Sequence, residues 1–202
     1  HLKGWRQECS LVYSNKIFEN YAKNTRLNIA LCIERRWYMA CRGVHFALSG
    51  DQYKKVLNCQ TDDELVELIQ EEIEEEWDEE WLRETDKAWD AIHRCLTDGK
   101  LELNNGSFPL NAVIIGGKQI HQGDDYIISL VTPEQAESIS KALSGIDKAE
   151  LRKGYDQIHQ SNYDGEVGDE DFEYTWEWFE GLPSLYEKSA QEKRAVLFSV
   201  DQ

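Results

Sequence analysis

Several features that would announce a function class are missing from this 202-residue chain. No apolar run approaches the roughly 20 residues needed to span a bilayer, and the longest, such as Ala112 to Ile115, are strand-sized, so no membrane span is expected. The five cysteines, Cys9, Cys32, Cys41, Cys59 and Cys95, are odd in number and include no C-x-x-C pair. That argues against a secreted disulfide framework and fits reduced thiols in a cytoplasm. No G-x-G-x-x-G or G-x-x-x-x-G-K run is present to cradle phosphate, and no G-x-S-x-G elbow presents a nucleophile. His45, His93, His121 and His159 have no His or Cys partner at ligand spacing, so neither a metal nor a cofactor is expected.

Cations are also scarce, with 22 Lys and Arg against 39 Asp and Glu, for a formal net charge of −17. Residues 1–38 contribute +4, which leaves −21 on the rest. Such a surface repels phosphate backbones and anionic membranes, so nucleic acid and lipid headgroups are not expected partners, whereas a basic protein partner stays open. The same charge also serves solubility and by itself requires no partner. The 41% hydrophobic and 11% aromatic content is that of an ordinary globular chain.

Met39 is the only methionine and stands where the acidic, patterned part begins. Just upstream, Arg35-Arg36-Trp37 can be encoded by AGG-AGG-TGG, which resembles a bacterial ribosome-binding sequence ahead of an ATG. Residues 1–38 also lack the charged, apolar and cleavage regions of a secretory signal. They are therefore expected to be a translated leader or incomplete extension, with one domain over residues 39–202.

Within that domain Gly43 to Leu48 reads as a strand, followed by a short helix Gln52 to Leu57 after an Asp51 cap. Thr61 and Glu64 have capping-box spacing before a helix that buries Leu65, Leu68, Ile69 and Ile73 and turns its glutamates to water. A third helix is expected from Asp78 to Leu96, with Trp81, Thr85, Ala88, Trp89, Ile92 and Leu96 on one stripe, stopped at Thr97-Asp98-Gly99. Asn111 to Ile115 reads as a doubly buried strand ending at Gly116-Gly117, and Tyr126 to Val131 as another. Pro133 suits the first position of a helix reaching Leu143; Asp147 opens the next, and helical stretches near 172–179 and 184–193 precede a last strand, Ala195 to Val200. Four strands separated by helices imply an α/β fold with one mixed or mainly parallel four-stranded sheet covered by helices.

Candidate site residues follow from chemistry and position. His93 lies four residues after Trp89 on the same helix face, which suits either a base beside an indole or a hydrogen-bonded core histidine. Trp77, Trp81 and Trp89 form an aromatic surface that either builds core or anchors an interface. Gly116 and Gly117 could admit a ligand at a strand end, although a tight turn is the favoured explanation of the pair. Asp124-Asp125 and Asp156 offer carboxylates in a chain already rich in them.

Read in order, Cys41-Arg42-Gly43-Val44-His45-Phe46-Ala47-Leu48, Trp77-Asp78-Glu79-Glu80-Trp81, Asp86 to His93 and Leu96-Thr97-Asp98-Gly99 resemble the YfbM-like bacterial family of unknown function. Ala112 to Gly117, the Tyr126 strand with Thr132-Pro133, Leu151 with Tyr155-Asp156, and Ala195-Val196-Leu197 extend the resemblance over residues 39–202. One departure is Asn162-Tyr163-Asp164-Gly165, where such sequences often carry a proline turn. The resemblance implies a bacterial cytoplasmic α/β protein with Tyr126, Tyr155 and Asp156 among its patterned residues, and it supplies no activity.

Two function classes remain. The first is a protein-binding or inhibitor module, like a bacterial immunity protein, in which acidic charge and tryptophans capture a basic partner. The second is a small enzyme or ligand-binding protein with a cleft around Trp89, His93, Gly116 and Gly117. No catalytic constellation is legible, so an enzyme is the less favoured of the two.

Overall fold

The computed structural model describes residues 42–123 and 126–201, so the leader assignment and the candidate Asp125 lie outside the described residues. β1 (Gly43–Leu48) is buried along its whole length, because both of its edges are paired and helices cover both of its faces. The sheet order is β2-β1-β5-β4-β3, with β2 at Leu82–Asp86, β3 at Lys118–Gln119, β4 at Tyr126–Val131 and β5 at Ala195–Asp201. Every neighbouring pair is antiparallel. This overturns the expected mixed or mainly parallel four-stranded sheet: the fold is α+β, with five antiparallel strands. A single crossover helix delivers the chain to the far end of a sheet for parallel pairing, whereas paired helices return it to the end it left. Here two helical stretches separate β1 from β2, and four helices separate β4 from β5.

On one face of the sheet, α1 (Gly50–Asn58) and α2 (Asp62–Leu68) bury Val56 and Leu65 against Val44, Phe46, Leu48, Ile128, Leu130 and Leu197. The α2 axis continues through a π-helical turn, Ile69–Ile73, which adds Ile69 and Ile73 to the core, and closes with one turn, Glu74–Glu76. Each of these aliphatic side chains contributes about 1.5–3 kcal/mol by leaving water. The opposite face carries α3 (Trp89–Leu96), α4 (Pro133–Leu143), α5 (Lys148–Tyr155), α6 (Asp169–Phe179) and α7 (Gly181–Gln191). His45, Phe198 and Ser129 stand opposite one another across three strands and so share that face.

Local chemistry explains the helix starts. Ser49, not Asp51, caps α1, and Ser49 with Gln52 makes a full capping box; Thr132 with Gln135 makes another ahead of Pro133. Thr61 accepts from Glu64 N at 3.2 Å, while the Glu64 carboxylate reaches Gln60 N rather than Thr61 N.

Two further expectations fail for a physical reason. The stretch expected as the first half of a long helix contains β2, since Leu82, Arg83 and Glu84 find partners along the β1 edge and long-range pairing overrides a helical stripe. Asp86, at φ 42°, ends that strand before α3. The buried run Ala112 to Ile115 is no strand: Leu110–Val113 forms a 3-10 turn, and the Val113 carbonyl accepts from His45 Nε2 at 2.9 Å and Tyr186 Oη at 3.0 Å. Side-chain donors there replace the ladder a strand would need. Among the described residues no helix is long and apolar enough to cross a membrane.

Candidate functional site

The structure disperses the sequence-derived candidates. Trp89 opens α3, His93 follows one turn later, and both are 0% exposed. The Trp89 indole packs 6.0 Å from the Phe198 ring, which sits on the sheet face beneath it. His93 Nε2 donates to Asn105 Oδ1 at 2.9 Å and to the Glu102 carbonyl at 3.2 Å, so Nε2 carries a proton and the ring is tied into the core. Burial lowers its pKa, with Asn105 and Glu102 opposing more weakly. A ligand could reach this pair only by parting α3 from the sheet.

The glycines belong to packing. Gly116 N donates to the Asn111 carbonyl at 3.0 Å in a turn, and a Cβ on Gly116 would lie 2.5 Å from that oxygen. A Cβ on Gly117 would lie 2.5 Å from Ser129 Oγ, so Gly117 lets the segment close onto β4. Tyr155 is buried and joins α5 to the start of α6: its hydroxyl donates to Asp171 Oδ2 at 2.6 Å and accepts from Gly168 N at 3.1 Å. Burial and the Asp171 carboxylate push that phenol up. Asp156 is exposed and pairs with Arg152 at 2.7 Å. None of these groups converges on an open cavity with another.

Trp77, Trp81 and Tyr126 instead border a charged face. Val56 to Leu82 contains twelve Asp and Glu and no Lys or Arg. Trp77, in left-handed conformation at φ 41° and ψ 52°, ends the helical segment and turns its half-buried ring edge-on to Phe46 at 6.1 Å. Trp81 holds Arg194 Cζ 3.4 Å and Lys188 Nζ 4.0 Å from its ring centre. Trp81 and Arg194 border a cleft of about 310 Å³, with Phe46, Leu48 and Ile73 below and Gln52, Lys55, Glu72, Glu76 and Asp78 around it. Lys55 pairs with Glu72, and Lys188 pairs with Glu80 at 2.6 Å.

A second depression, of about 460 Å³, lies on the other flank of α2 and is lined by Asp62, Asp63, Val66, Glu67, Gln70, Glu71, His121 and Gly123. Tyr126 touches this region through its hydroxyl, which accepts from Gln70 Nε2 at 2.7 Å. Among the described residues no group of three His, Cys, Asp or Glu is placed to hold a metal ion.

Four participants escaped the sequence reading. Arg194 and Lys188 stack on Trp81 from over a hundred residues away, and no local pattern announces them. Asn105, in the loop after α3, is 7% exposed and donates through Nδ2 to Thr97 Oγ1, Asp98 Oδ1 and the Lys100 carbonyl. Arg94 is 3% exposed and pairs with Asp90 at 2.5 Å, one turn away on α3; an i, i+4 acid and base within an apolar helix was the available signal.

Comparison with known proteins adds a family and a fold. A solved structure titled a protein of unknown function, YfbM, from Escherichia coli is similar to this chain at 18% identity and TM-score 0.54, covering 79% of this chain and 99% of that one. At that identity the likeness concerns the fold alone. Among curated proteins none matches. The model of a domain of unknown function, DUF1877, matches residues 39–199, and the chain, as its resemblance to YfbM-like sequences implied, belongs to that family.

Proposed function

We propose that this chain is a protein-binding module that captures a basic protein, in the manner of an inhibitor. The observation that carries the reading is the Val56 to Leu82 segment, twelve carboxylates without a cation, set on α2 and its continuation and ended by Trp77 and Trp81. Like charges on neighbouring helical turns destabilise a helix by about 0.2–0.5 kcal/mol per pair, so folding gives no reason to concentrate them. Binding does: an acidic field steers a basic partner and speeds encounter, and a half-buried indole is a common anchor at an interface. A cytoplasmic site of action accords with the free thiols of Cys59 and Cys95.

The test is affinity capture on the immobilised 202-residue chain at about 50 mM and about 500 mM salt, a range over which the screening length shortens severalfold. A basic protein retained at low salt and released at high salt is the expected result. If the low-salt eluate contains no basic protein, the reading fails.

A further inference from the structure

The loop after α3 hangs on one side chain. Asn105 Oδ1 accepts from His93 Nε2 at 2.9 Å, and Nδ2 faces Thr97 Oγ1 at 3.0 Å, Asp98 Oδ1 at 2.5 Å and the Lys100 carbonyl at 2.9 Å. The chain then turns at Gly106, whose φ of 67° lies in the left-handed region and where a Cβ would come 2.6 Å from Thr97 Cγ2. The fold thus calls for asparagine followed by glycine, and no other asparagine of the chain precedes a glycine.

That pair has a chemistry of its own. With no side chain to crowd it, the Gly106 backbone nitrogen can attack the side-chain carbonyl carbon of Asn105, Cγ. A bond forms between that nitrogen and Cγ, the nitrogen gives up its proton, and the bond from Cγ to Nδ2 breaks as Nδ2 leaves as ammonia. Water then opens the cyclic imide at either carbonyl, giving aspartate or, with the backbone rerouted through Cγ, isoaspartate. One water is consumed, one ammonia is released, and nothing is oxidised or reduced.

In the folded loop Nδ2 cannot depart without leaving Thr97, Asp98 and Lys100, so the reaction proceeds from locally opened molecules. The way back is closed as well. Deamidation puts an anionic oxygen where Nδ2 stood, against the Asp98 carboxylate and the Lys100 carbonyl. Thr97 Oγ1 already donates to the His93 carbonyl at 2.8 Å and has no second proton to offer. A donor has become one more acceptor among acceptors, at a position only 7% exposed.

We propose that Asn105-Gly106 is a spontaneous modification site, silent while the loop is folded, at which deamidation makes a transient opening of the loop permanent. The inference stands apart from the protein-binding reading. Its test incubates the full chain in mildly alkaline buffer made with heavy-oxygen water, folded or in urea, and follows entry of the label at residue 105 by peptide mass spectrometry.

The unfolded chain is expected to take up label there, and the folded chain to do so at least about tenfold more slowly. Asp98→Ala, which removes one acceptor at an exposed position, should speed the folded reaction about threefold and leave the rate in urea unchanged. N105D, the product itself, should melt below the wild type, and N105D/D98N should regain part of the loss because a neutral amide can turn its NH2 to the new carboxylate. If N105D does not fold, folding of the double variant is the same recovery. No label in urea, or equal rates folded and unfolded, would overturn the gated site. An unchanged folded rate in Asp98→Ala would overturn the hydrogen-bond lock. N105D melting with the wild type, or no recovery in the double variant, would overturn the permanence of the opening.

Discussion

On the α1–α2 side of the sheet, Val44, Phe46, Leu48, Leu130 and Leu197 meet Val56, Leu65, Ile69 and Ile73, and the acidic groups remain outside. On the α3–α7 side, His45, Ser129, His93, Arg94, Thr175 and Ser189 are buried along with the apolar side chains. The polar groups of this second side are tied into the fold: Val113 receives two side-chain donors, Asn105 holds its own loop, and Tyr155 joins two helices. On the first side, the carboxylates of Glu67, Glu71 and Glu75 are exposed and lie outside the core. Substitutions on the α3–α7 side should therefore damage stability, and those on the α2 face should alter binding and leave the fold intact.

The largest effect is expected at Gly154. A Cβ there would lie 2.0 Å from the Cys95 carbonyl oxygen, so α3 and α5 touch backbone to backbone and neither can yield by rotating a side chain. Gly154→Ala should cost about 3 kcal/mol or more, measured by urea unfolding, as overpacking between rigid elements does. A cost under about 1 kcal/mol would mean that the helices are free to separate, and the contrast between the two sides would lose its basis.

A smaller, pH-dependent effect is expected from His45. Burial lowers its pKa from 6.5 to about 4, against weaker opposition from the Val113 and Arg83 backbone. The folded protein therefore binds a proton less readily than the unfolded chain. This contribution to stability is fully present above the unfolded pKa and is lost as pH falls from about 6.5 towards 4. Between pH 7 and pH 5 the loss from this one group is about 2 kcal/mol. His45→Gln keeps a donor for Val113 but cannot titrate, so its urea midpoint should fall less steeply over the same interval. Parallel slopes for the two proteins would show that His45 is accessible to protons in the folded state.

How much of this was legible beforehand depended on whether the cause was local. Helix starts at Thr61, Pro133 and Asp147, and the strands at Gly43, Tyr126 and Ala195, were readable because capping and apolar runs act over a few residues. The parallel sheet, the long helix over β2 and the strand at Ala112 to Ile115 were misread because pairing partners, chain direction and side-chain donors such as Tyr186 come from far along the chain. The same limit applied to the site. The acidic segment and its tryptophans were visible in order, whereas the Arg194 stack on Trp81 and the wall that His121 makes opposite α2 arise only on folding.

The smallest expected effect has the opposite sign and tests the comparison most directly. Glu67 is exposed, has no hydrogen-bond or ion-pair partner among the described residues, and stands four residues from both Asp63 and Glu71. Repulsion between such neighbours costs about 0.2–0.5 kcal/mol per pair. Glu67→Gln should therefore stabilise the fold by about 0.5 kcal/mol in urea unfolding at low salt, and the gain should shrink as salt screens the charges. If the α2 face is kept for recognition, this substitution makes a more stable protein that binds a basic ligand less well, the trade-off expected where function holds like charges together. A loss of stability on removing Glu67 would instead assign the carboxylate a structural role and erase the difference between the two sides of the sheet.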